Sequence, residues 1–306
     1  MIVASGLNLV RMLKNIGLRL VLLLGFDMVV ACMYVFGGVT WVSLPDIPLT
    51  IFGSALGVVV GFRNNSSYGR WWEARMLWGS IVNNSRSVAR EALTMIVTPD
   101  KDPAEQAEAE QVKRQIVILQ IAYVHALRCL LRGLQPWDEL RKLLSEEELV
   151  EFRQHSNPPV AIQQKMGALL ETSFERGWLD TMRWTAIDRS LNALMDAQGG
   201  AERIKNTPLP KQYRAFPRLF VTCYCLLLPL AMVSHLRLFT PLGSTLVGFI
   251  FLALDEIGRD LEDPFDNTVH DVPLTSITRS IEITLKQLLG DSHVPAPEKP
   301  IDGVLW

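Results

Sequence analysis

The feature that most limits the fold of this chain is an apolar run of 24 residues, from Ile16 to Val39. As an α-helix, which rises about 1.5 Å per residue, this run can cross the roughly 30 Å hydrocarbon core of a bilayer. It is too long for a secretory signal peptide and lacks a small-residue cleavage site, so we expect it to stay on the protein. It contains Arg19, which can reach the headgroups, and Asp27, which lies deeper and needs a hydrogen-bonding partner on another helix or a water-lined surface.

The composition agrees with a membrane protein, since 49% of the 306 residues are apolar. A net charge of -2 gives no basic surface for nucleic acid, so we expect no nucleic-acid partner. The four cysteines are scattered, which excludes a disulfide framework and favours a reducing compartment. No phosphate-binding glycine loop, nucleophile elbow or paired-histidine zinc motif occurs. We therefore expect neither an enzyme nor a bound cofactor or metal.

Three further apolar stretches follow, at Ile47–Phe62, Leu219–Val233 and Leu242–Leu254. The first of these is short for a helix surrounded by lipid, but a helix that lines a wet path can be shorter. The long segment between the second and third spans is rich in Arg, Glu and Gln and has apolar residues at helical spacing. The pattern predicts an all-α membrane protein with four transmembrane helices and a large helical region outside the bilayer.

Charges around the first span predict its orientation. Arg11, Lys14 and Arg19 precede or begin it, whereas residues 41–46 contain no Lys or Arg. By the positive-inside rule the N-terminus is cytoplasmic, and an even number of spans returns the C-terminus to the same side of the inner (plasma) membrane. The chain then divides into four segments: 1–62 with the first two spans, the cytoplasmic helical region 63–213, 214–262 with the last two spans, and a cytoplasmic C-terminal helix and tail in 263–306.

Local patterns in the polar region predict where its helices begin and end. Ser145 and Glu148 form the spacing of a capping box, which begins a helix. The charged segment 101–111 is typical of an exposed turn, and Gly199-Gly200 is typical of a helix stop.

The short second span carries two rows of residues at intervals of four. One row is small and lets another helix approach closely: Gly53, Gly57 and Gly61. The neighbouring row consists of Ser54, Val58 and Phe62. It drifts around the helix by about 40° per step, because four residues are more than one turn of 3.6 residues. If several copies surround an axis, the second row lines a pore, and rings of apolar side chains form a constriction that gates by dewetting. From spacing alone, contact with lipid or another helix is the more common situation.

Two landmarks resemble the bacterial branch of the bestrophin family. Residues 61–65 read Gly-Phe-Arg-Asn-Asn, and they precede a Tyr-Gly-Arg-Trp-Trp-Glu-Ala-Arg segment at 68–75. This resembles the signature of bacterial bestrophins, in which the second span passes into an Arg-Trp-Trp segment. Residues 262–265, Glu-Asp-Pro-Phe, resemble the second landmark of the family, which lies after the fourth span. The family's Arg-Phe-Pro is replaced here by Leu-Gln-Pro at 134–136, so no role of that arginine is transferred.

The resemblance implies a homopentamer with one central pore that passively conducts monovalent ions. It places a hydrophobic neck at Ser54, Val58 and Phe62 and a cytoplasmic aperture at about Thr185. Ser54 is polar where the family normally has an apolar side chain, so the outer ring of this neck is expected to be wetter. Animal members are associated with chloride-type anions and bacterial members with sodium-type cations, so charge selectivity stays open. A secondary transporter and a non-conducting membrane scaffold are the alternatives.

Several charged residues allow a functional and a structural interpretation. Arg63 and Arg70 either attract anions at the inner mouth of the pore or are the arginines that the positive-inside rule predicts just on the cytoplasmic side of a span. Asp255 and Arg259 stand four apart and predict a structural ion pair. The calcium clasp of animal bestrophins uses an unbroken acidic run, whereas the acidic residues here are separated by other residues, which disfavours calcium control. The acidic residues considered are Asp260, Asp263, Asp266 and Asp271.

Two other groups of residues are interpreted as structural. Trp71, Trp72 and Trp78 are typical of anchors at a membrane boundary. His125 and Cys129 have a helical spacing that suits a metal, but no third ligand is in view, so we interpret both as core residues.

Overall fold

The computed structural model describes residues 1, 2, 9–44, 48–98 and 102–306, without the side chains of residues 9–14. Ile47 and Lys101, and the side chains of Arg11 and Lys14, therefore lie outside the described residues. The described part folds into ten α-helices with two short 3-10 turns and no β-strand, which confirms the predicted all-α fold: α1 Leu9–Val35, α2 Leu49–Met95, α3 Pro103–Leu131, α4 Trp137–Leu140, α5 Glu146–Arg153, α6 Pro158–Glu175, α7 Thr181–Asn206, α8 Lys211–Leu236, α9 Thr240–Asp260 and α10 Leu274–Leu288.

Helix α2 is one continuous helix of 47 residues, roughly 70 Å long. It does not end where the apolar run ends, because the polar residues that follow Phe62 stay helical. Ser66 donates a hydrogen bond to the Phe62 carbonyl (3.0 Å), and Ser67 is fully buried. The chain forms two compact units, and both contain a part of this helix.

One unit comprises Ala4–Trp71 and Pro208–Asp263. In it, α1, α8 and α9 pack against one another around a core to which the first part of α2 contributes Leu56 and Val60. Gly248 on α9 allows this close packing, since a Cβ atom there would overlap a side-chain methyl group of Leu23 of α1. The predicted partner of Asp27 is confirmed: the buried carboxylate accepts a hydrogen bond from Thr245 on α9 (2.9 Å).

The other unit comprises Met1–Val3, Trp72–Thr207 and Pro264–Trp306. Helix α3 lies at its centre and packs against α6, α7 and α10. Trp78, which the sequence predicted as a membrane anchor, is fully buried in this unit, so that prediction is wrong. Its neighbour Trp72 is 50% exposed.

Three helical stretches are long and apolar enough to cross a membrane: Asn15–Val35, Pro103–Leu131 and Lys211–Asp260, the last of which contains both α8 and α9. Only 28% of the apolar window is buried inside the protein in the first and third stretches, but 78% is buried in the second. A helix covered by protein on nearly all sides is a core helix, so we assign Pro103–Leu131 to the core of its unit.

The predicted capping box is confirmed at the beginning of α5. The Ser145 hydroxyl accepts from the Glu148 backbone N–H (3.3 Å), and the Glu148 carboxylate accepts from the Ser145 backbone N–H (3.0 Å). The exposed turn predicted at 101–111 is wrong, because α3 already begins at Pro103. The Asp102 carboxylate caps it by accepting from the Ala104 N–H (3.1 Å), and the Ala, Glu and Gln residues that follow favour helix.

The predicted helix stop at Gly199-Gly200 is also wrong, since α7 continues to Asn206. Gly200 serves packing instead. A Cβ atom at this position would lie 2.8 Å from Cδ2 of Leu77, which is closer than real contacts allow. The glycine therefore lets α7 approach α2 within this unit.

Candidate ion path along helix α2

The three predicted neck residues lie on the face of α2 that points away from the rest of its unit. Val58 is 58% exposed, Phe62 is 67% exposed, and Ser54 is exposed as well. The buried face of the same helical segment is formed by four other residues: Leu56, Val60, Arg63 and Ser67. At about 100° per residue, the centres of these two stripes lie about 180° apart around the helix axis.

Ser54 differs from Val58 and Phe62 because it is polar, and its hydroxyl donates to the Thr50 carbonyl of the same helix (2.8 Å). Its proton is satisfied, and the oxygen lone pairs face outward. This turn therefore presents an acceptor to whatever lies beside it, while Val58 and Phe62 present only carbon atoms.

The glycine row changes its surroundings along the helix. A Cβ atom at Gly53 would lie 2.5 Å from the hydroxyl oxygen of Tyr224, so this glycine allows α8 to pack closely against α2. Cβ atoms at Gly57 and Gly61 would meet no described atom within 4 Å. The drift of about 40° per step explains the difference, because it turns the row from the inside of the unit towards its outside.

Arg63 is buried, with 4% of its surface exposed, and connects α2 to α9. It donates to the Asp255 carboxylate (2.5 Å) and to the Asp255 backbone carbonyl (2.6 Å). Gly258 makes room for it, since a Cβ atom there would lie 2.6 Å from Nη2 of Arg63. Asp255 is thus structural as predicted, but the predicted partner is wrong: Arg259 pairs with Glu256 instead.

Arg70 also bonds within the chain. Its Nε–H donates to the backbone carbonyl of Glu262 (3.0 Å), and the buried Glu262 carboxylate accepts from Arg214 of α8 (2.6 Å). These contacts favour the structural interpretation of Arg63 and Arg70 over an anion-attracting role at an inner mouth.

Thr185 lies in the second turn of α7, on an exposed part of the helix surface. Its hydroxyl donates to the Thr181 carbonyl (2.7 Å), which leaves its methyl group and oxygen lone pairs free to face outward. Met182, one turn earlier on the same side, is 81% exposed.

Two residues that sequence reasoning missed lie beside the predicted ones. Asn65 is exposed and falls on the outward stripe one turn after Phe62, and Met182 precedes Thr185 by one turn. The signal was present in both cases, because positions three or four apart share a face of a helix. Extending each stripe by one turn would have found them.

Two of the acidic residues considered for calcium have other partners. Asp266 forms an ion pair with Lys205 (2.5 Å), and the buried Asp271 accepts from the Thr268 backbone N–H (3.0 Å). In the described part of the chain, no group of three or more His, Cys, Asp or Glu side chains is arranged to hold a metal ion.

His125 and Cys129 are buried, which confirms the prediction that they are core residues. The sequence did not predict the buried ionic cluster around His125. Its Nδ1 lies 2.8 Å from the Glu139 carboxylate and its Nε2 lies 3.2 Å from the Glu282 carboxylate. Arg128 also pairs with Glu139. The cluster connects α3 to α4 and α10, which are far apart in the sequence.

The charges in this cluster shift the pKa values of its members. The hydrogen bond with His125, together with Arg128, lowers the pKa of Glu139 to about 2. Burial alone would raise the pKa of Glu282, but bonds with His125 and Lys286 lower it to about 2. Burial would likewise lower the pKa of His125, but the two carboxylates raise it above its ordinary value. The cluster is therefore most stable with the histidine protonated and both carboxylates ionised.

Comparison with known proteins shows what the chain is similar to. A sequence profile described as "Bacterial/Fungal Bestrophin protein" matches residues 8–287. A voltage-dependent anion channel-forming protein of Ralstonia nicotianae is 34% identical over 273 residues, which cover 89% of this chain and 87% of that protein. The voltage-dependent anion channel-forming protein YneE of Escherichia coli is 33% identical over 288 residues, 94% of this chain and 91% of that protein.

A solved structure agrees with these sequence matches. The crystal structure of a bacterial bestrophin homologue from Klebsiella pneumoniae superposes with a TM-score of 0.84 at 30% identity. The match covers 91% of this chain and all of the homologue.

Proposed function

The chain belongs to the bacterial and fungal bestrophin family, and we propose that it is one subunit of a homopentameric channel that conducts monovalent ions passively. The observation that carries the proposal is the outward stripe of α2. A helix that exposes Val58 and Phe62 on the side opposite its own core needs another environment for that side, and an axis shared by several copies provides one.

In the proposed arrangement α1, α2, α8 and α9 span the inner membrane, with both termini and the region 63–213 in the cytoplasm. The length of α2 supports a position inside the assembly. Its apolar part from Leu49 to Phe62 is only about 21 Å long as a helix, which is short for a span surrounded by lipid. Neighbouring helices of the assembly would separate it from lipid.

The glycine row supports close subunit packing in the same arrangement. Gly57 and Gly61 leave open surface beside the proposed pore stripe, and small residues let the backbone of a second helix approach closely. Gly53 already fulfils this role within the chain, against Tyr224.

The neck we propose has an outer ring at Ser54 and a dewetting constriction formed by Val58 and Phe62. Water and ions avoid a narrow ring of carbon atoms, so these two residues set the resistance of the pore. A second constriction, the cytoplasmic aperture, is proposed at Thr185 on α7. Because the related proteins of Ralstonia nicotianae and Escherichia coli are named as anion channels, we propose chloride-type anions as the permeant ions, with sodium-type cations as the alternative.

The test is ion flux from liposomes that contain the purified protein. Val58→Ala and Phe62→Ala should raise the flux, because both substitutions widen the constriction. Val59→Ala is the matched control, since Val59 is the same residue type one position later but lines a groove between α2 and α8 instead. An equal increase for Val58→Ala and Val59→Ala would contradict the proposed neck.

The sign of the reversal potential in a planar bilayer under a potassium chloride gradient separates anion from cation conduction. Flux that depends on a second, co-transported solute would support a secondary transporter. A well-folded oligomer that conducts no ions at any voltage would support the non-conducting scaffold.

A further inference from the structure

A cavity of about 620 Å³ lies between α2, α8 and α9, at the end of the apolar stretches of α8 and α9. Four arginines line it: Arg63, Arg214, Arg218 and Arg259. Three carboxylates line it as well: Asp255, Glu262 and Asp263. We propose that this cavity binds the phosphate group of an anionic phospholipid. The proposal rests on the membrane placement of α8 and α9 and not on ion conduction, so the two can fail separately.

The ion pairs in the cavity leave one arginine free. Arg63 is held by Asp255, Arg214 by Glu262, and Arg259 by Glu256, which lies outside the lining. Arg218 is exposed and forms no ion pair or side-chain hydrogen bond with any residue that the structure describes. Outside these three ion pairs, the charged lining residues are Arg218 and Asp263.

A guanidinium is well suited to a phosphate because its planar fork donates two parallel hydrogen bonds to two phosphate oxygens. Arg214 and Arg218 stand one turn apart on α8 and therefore lie on the same side of the helix. Arg214 is 51% exposed in spite of its ion pair, so it can contribute a second donor to the same ligand.

The apolar part of the lining favours a lipid over a free anion. Ala215 and Leu219 of α8 lie beside the arginines in the cavity. Phe216 and Phe220 expose 50% and 47% of their surface on the same stretch of helix. A phospholipid places a phosphate at this level and acyl chains along the apolar side chains, and basic pockets between membrane helices are known to bind such headgroups.

Native mass spectrometry of the full-length protein in detergent tests the proposal, with phosphatidylglycerol as the anionic probe and phosphatidylcholine as the zwitterionic one. Phosphatidylglycerol should bind with the lower apparent Kd. Arg218→Gln should raise that Kd about five-fold, since one basic residue near a lipid headgroup contributes about that factor. Asp263→Asn should lower it by a similar factor, because it removes a carboxylate from the lining.

Lys211→Gln is the matched control, because it removes a positive charge from the same helix outside the cavity, and its Kd should equal that of the wild type. Opposite shifts for Arg218→Gln and Asp263→Asn cannot both arise from misfolding. The lipid assignment would be overturned by equal binding of phosphatidylcholine, by wild-type affinity in both cavity variants, or by inorganic phosphate that displaces the lipid at comparable concentration.

Discussion

The buried ion pair between Arg63 and Asp255 allows the sharpest test of how α2 is held in place. The Arg63→Met substitution keeps most of the apolar stem but removes both hydrogen bonds to Asp255. The carboxylate, only 5% exposed, would then have Arg19 at 3.9 Å as its remaining partner. Breaking a buried pair by removing one partner costs about 3–5 kcal/mol, and we expect about 3 kcal/mol here because Arg19 compensates in part.

The assay is the free energy of unfolding of the purified protein in detergent, measured by denaturant titration. Arg203→Met is the control, because Arg203 pairs with Glu73 on the surface, where both side chains are largely exposed. Such a pair contributes about 1 kcal/mol or less. The double variant Arg63→Met with Asp255→Leu should recover most of the loss, since it removes the unpaired charge together with its partner.

Two outcomes would refute this reasoning. A loss for Arg63→Met no larger than that for Arg203→Met would mean that the pair contributes nothing beyond a surface contact. A double variant as unstable as Arg63→Met alone would mean that the damage comes from packing around Gly258 and not from an isolated carboxylate.

Two further predictions concern the other unit. Gly199→Ala should stabilise the protein by up to about 1 kcal/mol in thermal unfolding, since the added Cβ atom meets open space within a helix. Gly200→Ala should stabilise the protein less or destabilise it, because the added Cβ atom would collide with Leu77. Equal effects of the two substitutions would refute this role of Gly200. Because the pKa of His125 is raised in the folded protein, its contribution to stability is complete below the pKa of 6.5 in the unfolded chain and is lost as pH rises through the pKa in the folded protein. The stability difference between the wild type and His125→Gln should therefore shrink towards alkaline pH. A difference that grows with pH would contradict the cluster geometry.

The sequence predicts much of the fold because helix periodicity and apolar length are local properties. The all-α fold, the capping box at Ser145 and the hydrogen-bonding need of Asp27 could all be inferred from neighbouring residues or from the cost of burying a charge. The helix stop predicted at Gly200 failed because its reason is tertiary: a glycine inside a helix signals either a stop or a close contact, and only the position of Leu77 decides which.

The same limit applies to ion pairs. Asp255 and Arg259 have the spacing of a pair on one helix, yet Asp255 takes Arg63 from 192 residues earlier in the chain. A buried carboxylate gains more from a buried guanidinium that also bonds to the backbone than from a half-exposed neighbour on its own helix. The cluster around His125 was missed for the same reason, because Glu139 and Glu282 reach it from two other helices.

Residues 62 and 63 show how one helix can fulfil two roles at once. Consecutive residues differ by about 100° around the axis, so Phe62 points outward while Arg63 reaches Asp255 on α9. The two substitutions should therefore separate by readout: Phe62→Ala raises ion flux and leaves the free energy of unfolding nearly unchanged, because an exposed side chain buries little surface in its own subunit. Arg63→Met lowers the free energy of unfolding. A stability loss for Phe62→Ala as large as that for Arg63→Met would place Phe62 in a protein core and remove the basis for the proposed neck.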